Sequence, residues 1–367
     1  MTGQDRTALN RRRRRGVARL TGTAAVATAM VVAAGCSSSS TTSTPNTSTS
    51  TPSTSAAAGT SHLTIDFVAA LVNDSYFVTV RCGAQDEASK LGITLKWTGP
   101  TTNDVTSEIQ AFAAAATTNP NGMVLAPFSN TGFGGQVRPL MAKGVPVALS
   151  GETLTPPDGY ITYISNFLQG GNSLAGIIGS LTGGTGTMAI IADTTGNKTD
   201  SDRYTGLVPV LKQRYPHLKV LSPQYASNST AKGASVASAI IQGNPDLKLI
   251  YASSGPEATG VASAIKAAGD TAKIKLISFD SSPPQITLLK QNALAATIGQ
   301  SPYFSGALSV KSVVDYLRAH PGQSGPVPSS AQIQSTPTFL LTPQNVNTAQ
   351  AQKYQYLTSC GKTQGGV

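Results

Sequence analysis

The chain has 367 residues, of which 40% are hydrophobic and 12% are charged, and its formal net charge is +10. Residues 1–35 contain seven arginines and one acid, so the rest of the chain has 20 basic and 16 acidic residues and a net charge of +4. Because these charges are spread along the sequence, they argue against a nucleic-acid-binding protein, which needs a concentrated basic surface.

The first 35 residues have the composition of an export signal. A basic stretch at Arg11–Arg15, followed by Arg19, precedes an uncharged run rich in Ala, Val and Thr that is too short to span a bilayer comfortably. The run ends in Val-Ala-Ala-Gly directly before Cys36, and a lipoprotein signal peptidase needs small residues beside the acylated cysteine. We therefore predict a lipoprotein signal peptide over residues 1–35 and a lipid on Cys36.

This signal resembles the bacterial lipobox, with Ala33 where Leu is more common. An ordinary secretory signal followed by a chance cysteine is the alternative, and the ordered basic, apolar and small-residue regions argue against it. The arginines also fit a twin-arginine signal, so Sec and Tat export both stay open. The expected location is the extracytoplasmic face of the cell membrane, with a lipid as the anchor.

Residues 36–61 are predicted to form a lipidated tether. Of the 25 residues after Cys36, 18 are Ser or Thr and none is charged or aromatic, so the segment cannot bury enough apolar surface to offset its ordering entropy. A flexible chain of this length extends roughly 25–30 Å, which would hold a folded domain away from a membrane. The Ser and Thr residues leave O-glycosylation open.

Two further cysteines, Cys82 and Cys360, follow the tether. An even pair in an exported protein indicates a disulfide rather than two free thiols. This disulfide would join the first helix of the folded domain to the C-terminal tail.

Short apolar runs alternate with segments of helix length from His62 onward. Strands that alternate with helices predict parallel sheets with helices on both faces, and about 300 residues are enough for two lobes. The predicted strands are Leu63–Val68, Ile93–Trp97, Gly122–Leu125, Pro146–Leu149, Thr187–Ala192, Lys219–Gln224, Leu247–Tyr251, Ile274–Phe279 and Leu294–Gly299. The first helix is predicted from apolar residues at helical spacing, namely Phe77, Val80, Ala84, Ala88 and Leu91.

The segments that follow the predicted strands are rich in Asn, Ser, Asp, Gln and aromatic residues. Ligands bind parallel sheets at the carboxyl ends of the strands, and this composition suits a neutral polyhydroxylated ligand. The alternative is that these residues cap helices and form turns, and we prefer this interpretation for Ser129, Asn130 and Ser229.

Five segments, in order, resemble the ribose-type branch of the periplasmic binding proteins, the sugar-binding subunits of ABC importers. The resemblance covers about residues 62–345, and the segments are Asn73–Phe77, Gly83–Gly92, Gly144–Val147, Ile277–Asp280 and Leu294–Gln300. It implies an α/β fold of two doubly wound parallel-sheet lobes joined by a three-segment hinge. It also implies a monomeric binding protein that is not an enzyme and needs no cofactor.

The resemblance also implies lobe boundaries. The N-terminal lobe is expected to contain residues 62–165 and 301–335, and the C-terminal lobe residues 166–300 and 336–360. The crossovers are expected near Ser165, Gln300 and Thr336, and residues 361–367 are expected to form a short tail.

Ligand-binding residues carry over from the family position by position. Tyr76 and Phe77 stand where the family has stacking aromatic residues, and Asp74 stands where it commonly has Asn. Asp280 and Gln300 match positions that bond sugar hydroxyl groups.

At other positions the chain departs from the family. Glu152, Ser201, Asn228 and Ser254 fall on or near sugar-contacting positions but differ in type, and Arg203 matches a neighbouring structural arginine. These departures argue against ribose itself and leave a different sugar, a polyol or an amine-bearing sugar open.

Motifs for catalysis or metal binding are incomplete. Ser229–Lys232 fits S-x-x-K but lacks the S-D-N and K-T-G motifs that accompany it in penicillin-binding enzymes. Gly183–Gly186 precedes a predicted strand, whereas a dinucleotide-binding loop follows one. The three histidines, His62, His217 and His320, have no partner at metal-ligand spacing, so neither an enzyme nor a metal site is expected.

Two functions remain open. The first is a subunit that captures a small polar ligand between its lobes and delivers it to an ABC permease. The second is a ligand sensor whose closed form docks on a membrane receptor such as a histidine kinase. A DNA-binding repressor with the same lobes is excluded, because a signal peptide and a tether replace the helix-turn-helix.

Overall fold

A computed structural model describes residues 62–102, 104–195, 197–330 and 332–361. The predicted signal peptide, Cys36, the tether and most of the predicted tail lie outside the described residues. Within the described ranges, no helix is both long and apolar enough to cross a membrane. The fold is the predicted one, with two parallel-sheet α/β lobes.

Three successive stretches of chain build the lobes. The first contains β1 (Thr64–Ala69), α1 (Ser75–Leu91), β2 (Thr94–Thr98), α2 (Val105–Ala116), β3 (Gly122–Ala126), α3 (Gly134–Ala142), β4 (Val147–Ser150) and β5 (Ile161–Ser165). The second contains α4 (Phe167–Thr182), β6 (Gly186–Ala192), α5 (Lys198–Thr205), α6 (Leu207–Arg214), β7 (Leu218–Val220), β8 (Gln224–Tyr225), α7 (Thr230–Gly243), β9 (Leu247–Ala252), α8 (Gly255–Ala267), β10 (Lys275–Phe279), α9 (Pro283–Lys290) and β11 (Ala296–Gly299). The third contains α10 (Pro302–Ala319), β12 (Ile333–Thr336), β13 (Phe339–Leu341) and α11 (Ala349–Gln352).

Each lobe has its own sheet. The first sheet has the strand order β12-β5-β4-β3-β1-β2, and all its neighbouring strands are parallel. The second has the order β13-β11-β10-β9-β6-β7, with β13 antiparallel to β11 and β8 paired to β6. The chain passes between the sheets after β5, after β11 and after β12, which makes the three-segment hinge.

Both faces of each sheet are covered by apolar side chains. In β1, Phe67 belongs to one buried cluster, with residues of α1 and α10, and its neighbour Val68 belongs to another, with residues of α2 and α3. In β6, Met188 and Ala189 are divided in the same way between the two clusters of the second lobe. Because successive side chains of a strand point to opposite faces, this pattern is that of a sheet between two helical layers.

All nine runs that were predicted as strands contain strands, but the run Lys219–Gln224 is divided into β7 and β8. Pro223 lies between them, and proline lacks the amide hydrogen that a continuous ladder requires. Three strands were not predicted from the sequence, namely β5, β12 and β13. In β12 three of the four residues are exposed, so this edge strand has no apolar run.

Helix α1 fixes the part of the first lobe that faces the second. Asp74 begins the helix, because its carboxylate accepts a hydrogen bond from the Tyr76 amide at 2.8 Å. Gly92 ends the helix at a φ of 66°, a left-handed conformation that glycine adopts without cost. Four of the five residues of the predicted apolar face are buried, namely Phe77, Val80, Ala84 and Ala88.

The C-terminal segment lies against α1. Cys82 of α1 and Cys360 are joined as a disulfide, with their Cα atoms 5.1 Å apart. Residues 336–360 were assigned to the C-terminal lobe from the sequence, and Leu357 in this range donates its amide hydrogen to Thr79 of the first lobe.

Candidate functional site

The carboxyl ends of the strands in both sheets face one cleft, with a volume of about 160 Å³. A single water needs about 10–15 Å³, so the cleft has room for an organic ligand. From the first lobe it is lined by Leu71, Asp74, Ser75, Tyr76, Phe77, Pro127, Phe128, Ser150, Gly151 and Glu152. Its other lining residues are Asp193, Asn197, Thr199, Asp200, Arg203, Asn228, Ser254, Gly255, Pro256, Asp280, Ser282, Gln300 and Tyr356.

Asp280 follows β10 and anchors the second-lobe wall. Its Oδ1 atom accepts hydrogen bonds from Gln300 Nε2 at 2.6 Å and from the Tyr356 hydroxyl at 2.8 Å, and its Oδ2 atom accepts one from Arg203 Nη1 at 3.1 Å. A carboxylate has about four acceptor positions, so about one remains for a ligand. Asp280 does not cap the next helix, because Ser282 and Gln285 form a capping box there.

Arg203 lines the cleft and also supports it. Its guanidinium donates to the Ser253 carbonyl at 2.7 Å, and it lies 4.7 Å from the ring centroid of Phe279. Its side chain is only 13% exposed, so the Asp280 carboxylate is the counter-charge that makes its burial tolerable. The prediction of a structural arginine therefore describes only part of what this residue does.

The first-lobe wall is formed by Tyr76 and Glu152. A Cβ atom on Gly151 would lie 2.5 Å from the Tyr76 hydroxyl, and the Gly151 φ is 85°, so both the space and the backbone conformation require glycine. The Thr199 hydroxyl donates to Glu152 Oε2 across the cleft, and the Thr153 amide donates to Oε1 at 2.7 Å. Glu152 therefore joins a first-lobe loop to α5 of the second lobe.

Of the other predicted ligand residues, only Ser201 does not line the cleft. Its hydroxyl donates to the Lys198 carbonyl at 2.8 Å, within α5. Asn228 and Ser254 both line the cleft, and the Ser254 hydroxyl donates to Asn228 Oδ1 at 2.9 Å. Gln300 lies at the hinge, where its Oε1 atom accepts from the Ser165 hydroxyl at 2.7 Å.

Carboxylates dominate the charge of the cleft. Five acids line it together with one arginine. Burial, with the nearby charge of Asp200, raises the pKa of Asp193 to about 6. Burial likewise raises the pKa values of Asp74, Glu152 and Asp200 from their ordinary values. The cleft therefore offers many acceptors to a ligand and few fixed donors.

Sequence reasoning missed Asp193, Asp200 and Tyr356 as lining residues. Asp200 and Arg203 are three positions apart on α5 and so share a helix face, which Ser201 does not share. This helical spacing could have selected Asp200 in place of Ser201. No local signal identifies Tyr356, because its position depends on the path of the chain after the last strand.

The three residues that were predicted to cap helices or form turns make local hydrogen bonds of this kind. Ser229 caps α7 by accepting from the Lys232 amide at 3.4 Å. Ser129 and Asn130 form hydrogen bonds with neighbouring threonines and do not line the cleft. No group of three or more potential metal ligands occurs among the described residues.

Comparison with known proteins decides the family. Residues 65–321 match the family model described as a periplasmic binding protein domain. The chain belongs to the periplasmic binding protein family. Within this family it is of the ribose type, and the family and its fold are those of binding proteins rather than enzymes.

Individual relatives are similar over most of their length. The D-allose-binding periplasmic protein of Escherichia coli (strain K12) is 26% identical over 285 residues, which are 75% of this chain and 90% of the relative. The ribose import binding protein RbsB of Bacillus subtilis (strain 168) is 25% identical over 69% of this chain and 81% of the relative. A carbohydrate transporter solute-binding protein from Agrobacterium radiobacter, solved with D-arabinose, has a TM-score of 0.70 and 26% identity and covers 80% of this chain and 99% of its own.

Two fully buried carboxyl groups, those of Glu108 and Glu257, predict how the stability of the protein depends on pH. Burial raises the pKa values of Glu108 and Glu257 to about 8. The ordinary pKa of a glutamate is about 4.3. Between that pH and pH 8, these two carboxyl groups keep their protons in the folded protein and lose them in the unfolded chain. The free energy of unfolding should therefore increase as the pH falls from 9 to 6.

Urea unfolding at pH 6 and pH 9 measures this dependence. Glu257→Gln should reduce the difference between the two pH values, mainly by stabilising the protein at pH 9. Asp315→Asn, at an exposed position of α10, is the matched control and should leave the difference unchanged. An equal pH dependence in wild type and Glu257→Gln would show that Glu257 is not protonated in the folded protein.

Proposed function

We propose that this protein is a membrane-anchored extracytoplasmic solute-binding protein that captures a sugar or polyol between its lobes and delivers it to an ABC importer. The observation that carries the proposal is the cleft, where Tyr76 of the first lobe faces the Asp280 group of the second. An aromatic face opposite a few oriented polar groups suits a ligand with apolar C–H faces and hydroxyl groups at its edge.

Specific contacts follow from the side chains that line the cleft. Tyr76 and Phe77 supply the stacking surface, and Tyr76 adds a hydroxyl group. Asp280 supplies its remaining acceptor position, and Gln300 lies beside it at the hinge. Asn228 supplies an amide that both donates and accepts hydrogen bonds.

The relatives support a carbohydrate as the ligand. Their names specify D-allose and ribose, and the similar structure holds D-arabinose. All three are neutral monosaccharides with several adjacent hydroxyl groups. A sugar of this size is therefore the first class of ligand to test, and an ABC permease is the partner that the family resemblance implies.

Ligand capture is proposed to close the two lobes about the hinge. We place the lobe boundaries at the three crossovers, with residues 62–165 and 301–335 in one lobe and 166–300 and 336–356 in the other. The predicted limit of 360 is moved to 356, because Leu357 and Cys360 contact α1 of the first lobe. Short connections act as hinges when a ligand bridges two domains. The hydrogen bond from Thr199 to Glu152 already joins the lobes across the cleft, and opening of the lobes would break it.

The anchor in this proposal is a lipid on Cys36, and the active unit is a monomer. Cleavage before Cys36 would leave the Ser/Thr-rich tether between the lipid and the first strand. A tether of roughly 25–30 Å lets the domain turn toward a permease in the same membrane.

The melting temperature of the domain, measured with D-allose, D-ribose, D-arabinose and a set of polyols, identifies the ligand. A ligand at about 100 times its dissociation constant adds about 2.7 kcal/mol to the free energy of unfolding, which gives a clear rise in melting temperature. If none of these compounds raises the melting temperature, the protein does not bind this class of ligand and the proposal fails.

Titration calorimetry with the compound that binds then tests the site. Asp280→Asn keeps the shape of the side chain but removes its charge, and a hydrogen bond to a charged group contributes about 1.5–3 kcal/mol. We expect a loss of affinity of about 10-fold to 150-fold. Asp315→Asn is again the matched control, and unchanged affinity in Asp280→Asn would remove Asp280 from the binding site.

Cell fractionation tests the anchor. Cys36→Ala should prevent acylation and therefore cleavage before residue 36, so the exported variant should lack the lipid and keep its signal peptide. A control Ser37→Ala variant should stay with the membrane. Normal cleavage and membrane retention of Cys36→Ala would contradict the proposed lipid anchor.

A further inference from the structure

The end of the described chain is first attached to the second lobe. Tyr354 is buried in the apolar core of that lobe, and its ring stacks on Phe339 with 5.1 Å between the centroids. The Tyr356 amide then donates to the Ser281 carbonyl at 3.1 Å. Residues 354–356 are therefore fixed to the loop that follows β10.

One residue later the chain is attached to the first lobe. The Leu357 amide donates to the Thr79 hydroxyl of α1 at 2.7 Å. Leu357 and Cys360 pack against Val78 of α1, and the Cys82–Cys360 disulfide makes the attachment covalent. Residues 354–360 therefore pass from one lobe to the other, in addition to the three crossings of the hinge.

Tyr356 lies between these two attachments and faces the cleft. Its hydroxyl donates to Asp280 Oδ1 at 2.8 Å and accepts from Gln300 Nε2 at 3.1 Å. Its ring meets the ring of Tyr76 edge-on, with 5.6 Å between the centroids. One side chain thus contacts residues of the proposed ligand site from both lobes and from the hinge.

We propose that residues 354–360 are a covalently closed fourth connection between the lobes, and that Tyr356 is the positioning residue through which this connection shapes the ligand site. The positioning role rests on the proposed function, whereas the fourth connection does not. The connection holds Asp280 and Gln300 in place and limits how far the lobes separate.

Chain length sets this limit. Cys360 is four positions after Tyr356, and an extended chain spans at most about 3.3–3.6 Å per residue, so the two attachments cannot be more than roughly 14 Å apart. Without the disulfide, the first-lobe attachment consists of one hydrogen bond and a small apolar contact. Removing the disulfide should therefore release the segment and widen the range of lobe separations.

Solution scattering on the ligand-free protein tests the connection. The Cys82→Ala/Cys360→Ala variant should have a larger radius of gyration than the oxidised wild type, and its Leu357 amide should exchange with solvent faster. Circular dichroism establishes that the variant is folded. The proposal is overturned by an unchanged radius with unchanged exchange, or by two free thiols in the exported wild-type protein.

Calorimetry with D-allose tests the positioning role. Tyr356→Phe keeps the ring but removes the hydroxyl that orders Asp280 and Gln300, so its affinity should fall by about tenfold with little change in melting temperature or radius of gyration. Tyr354→Phe, two residues away in the same segment, is the matched control and should bind as the wild type does. Equal affinities for both variants would overturn the positioning role.

The fourth connection is tested independently of the proposed function, whereas the positioning role requires that a ligand binds. If D-allose does not bind the wild type, the calorimetry is done with the compound of the thermal screen that does bind. If no compound binds, the proposed function and the positioning role fall together, and the scattering experiment still decides whether the fourth connection exists.

Discussion

The hydrogen bonds to the Asp280 carboxylate are the interaction on which the proposed site depends. Arg203 from α5, Gln300 from the hinge and Tyr356 from the C-terminal segment all donate to it. Arg203 is buried with Asp280 as its ion-pair partner and Asp200 as a second nearby negative charge, so loss of the Asp280 carboxylate would weaken the compensation of a buried charge. A residue of a ligand cleft is ordinarily dispensable for folding, but Asp280 holds three parts of the chain together as well as facing the ligand.

The parallel sheets explain why these parts meet. All strands of the first sheet, and those from β6 to β11 of the second, end on the side of the cleft, so every loop that follows a strand can contribute to it. The loops differ in sequence, while the central strands of both sheets, such as β1, β3, β6 and β10, are buried. Ligand specificity can therefore change through residues such as Glu152 and Asn228 without altering the cores of the lobes.

The amino-acid sequence predicts the helices and the buried strands well, and it predicts contacts between distant parts of the chain poorly. Helix α1 follows from apolar periodicity and the buried strands follow from short apolar runs. Tyr76, Asp280 and Gln300 follow from the family resemblance together with their positions after strands. Ser201 was predicted from the family resemblance, although Asp200 shares the helix face of Arg203. Tyr356 was not predicted, because its role depends on long-range packing of a tail that has no periodic pattern.

A crystal structure with the compound that most raises the melting temperature tests the central claim most directly. Our account predicts one ligand molecule between the lobes, with a ring of Tyr76 or Phe77 against its C–H face. A hydroxyl group of the ligand should lie within hydrogen-bond distance of Asp280 or Gln300. A ligand bound outside the cleft would contradict the account. A ligand in the cleft that contacts neither the aromatic pair Tyr76 and Phe77 nor the polar pair Asp280 and Gln300 would also contradict it.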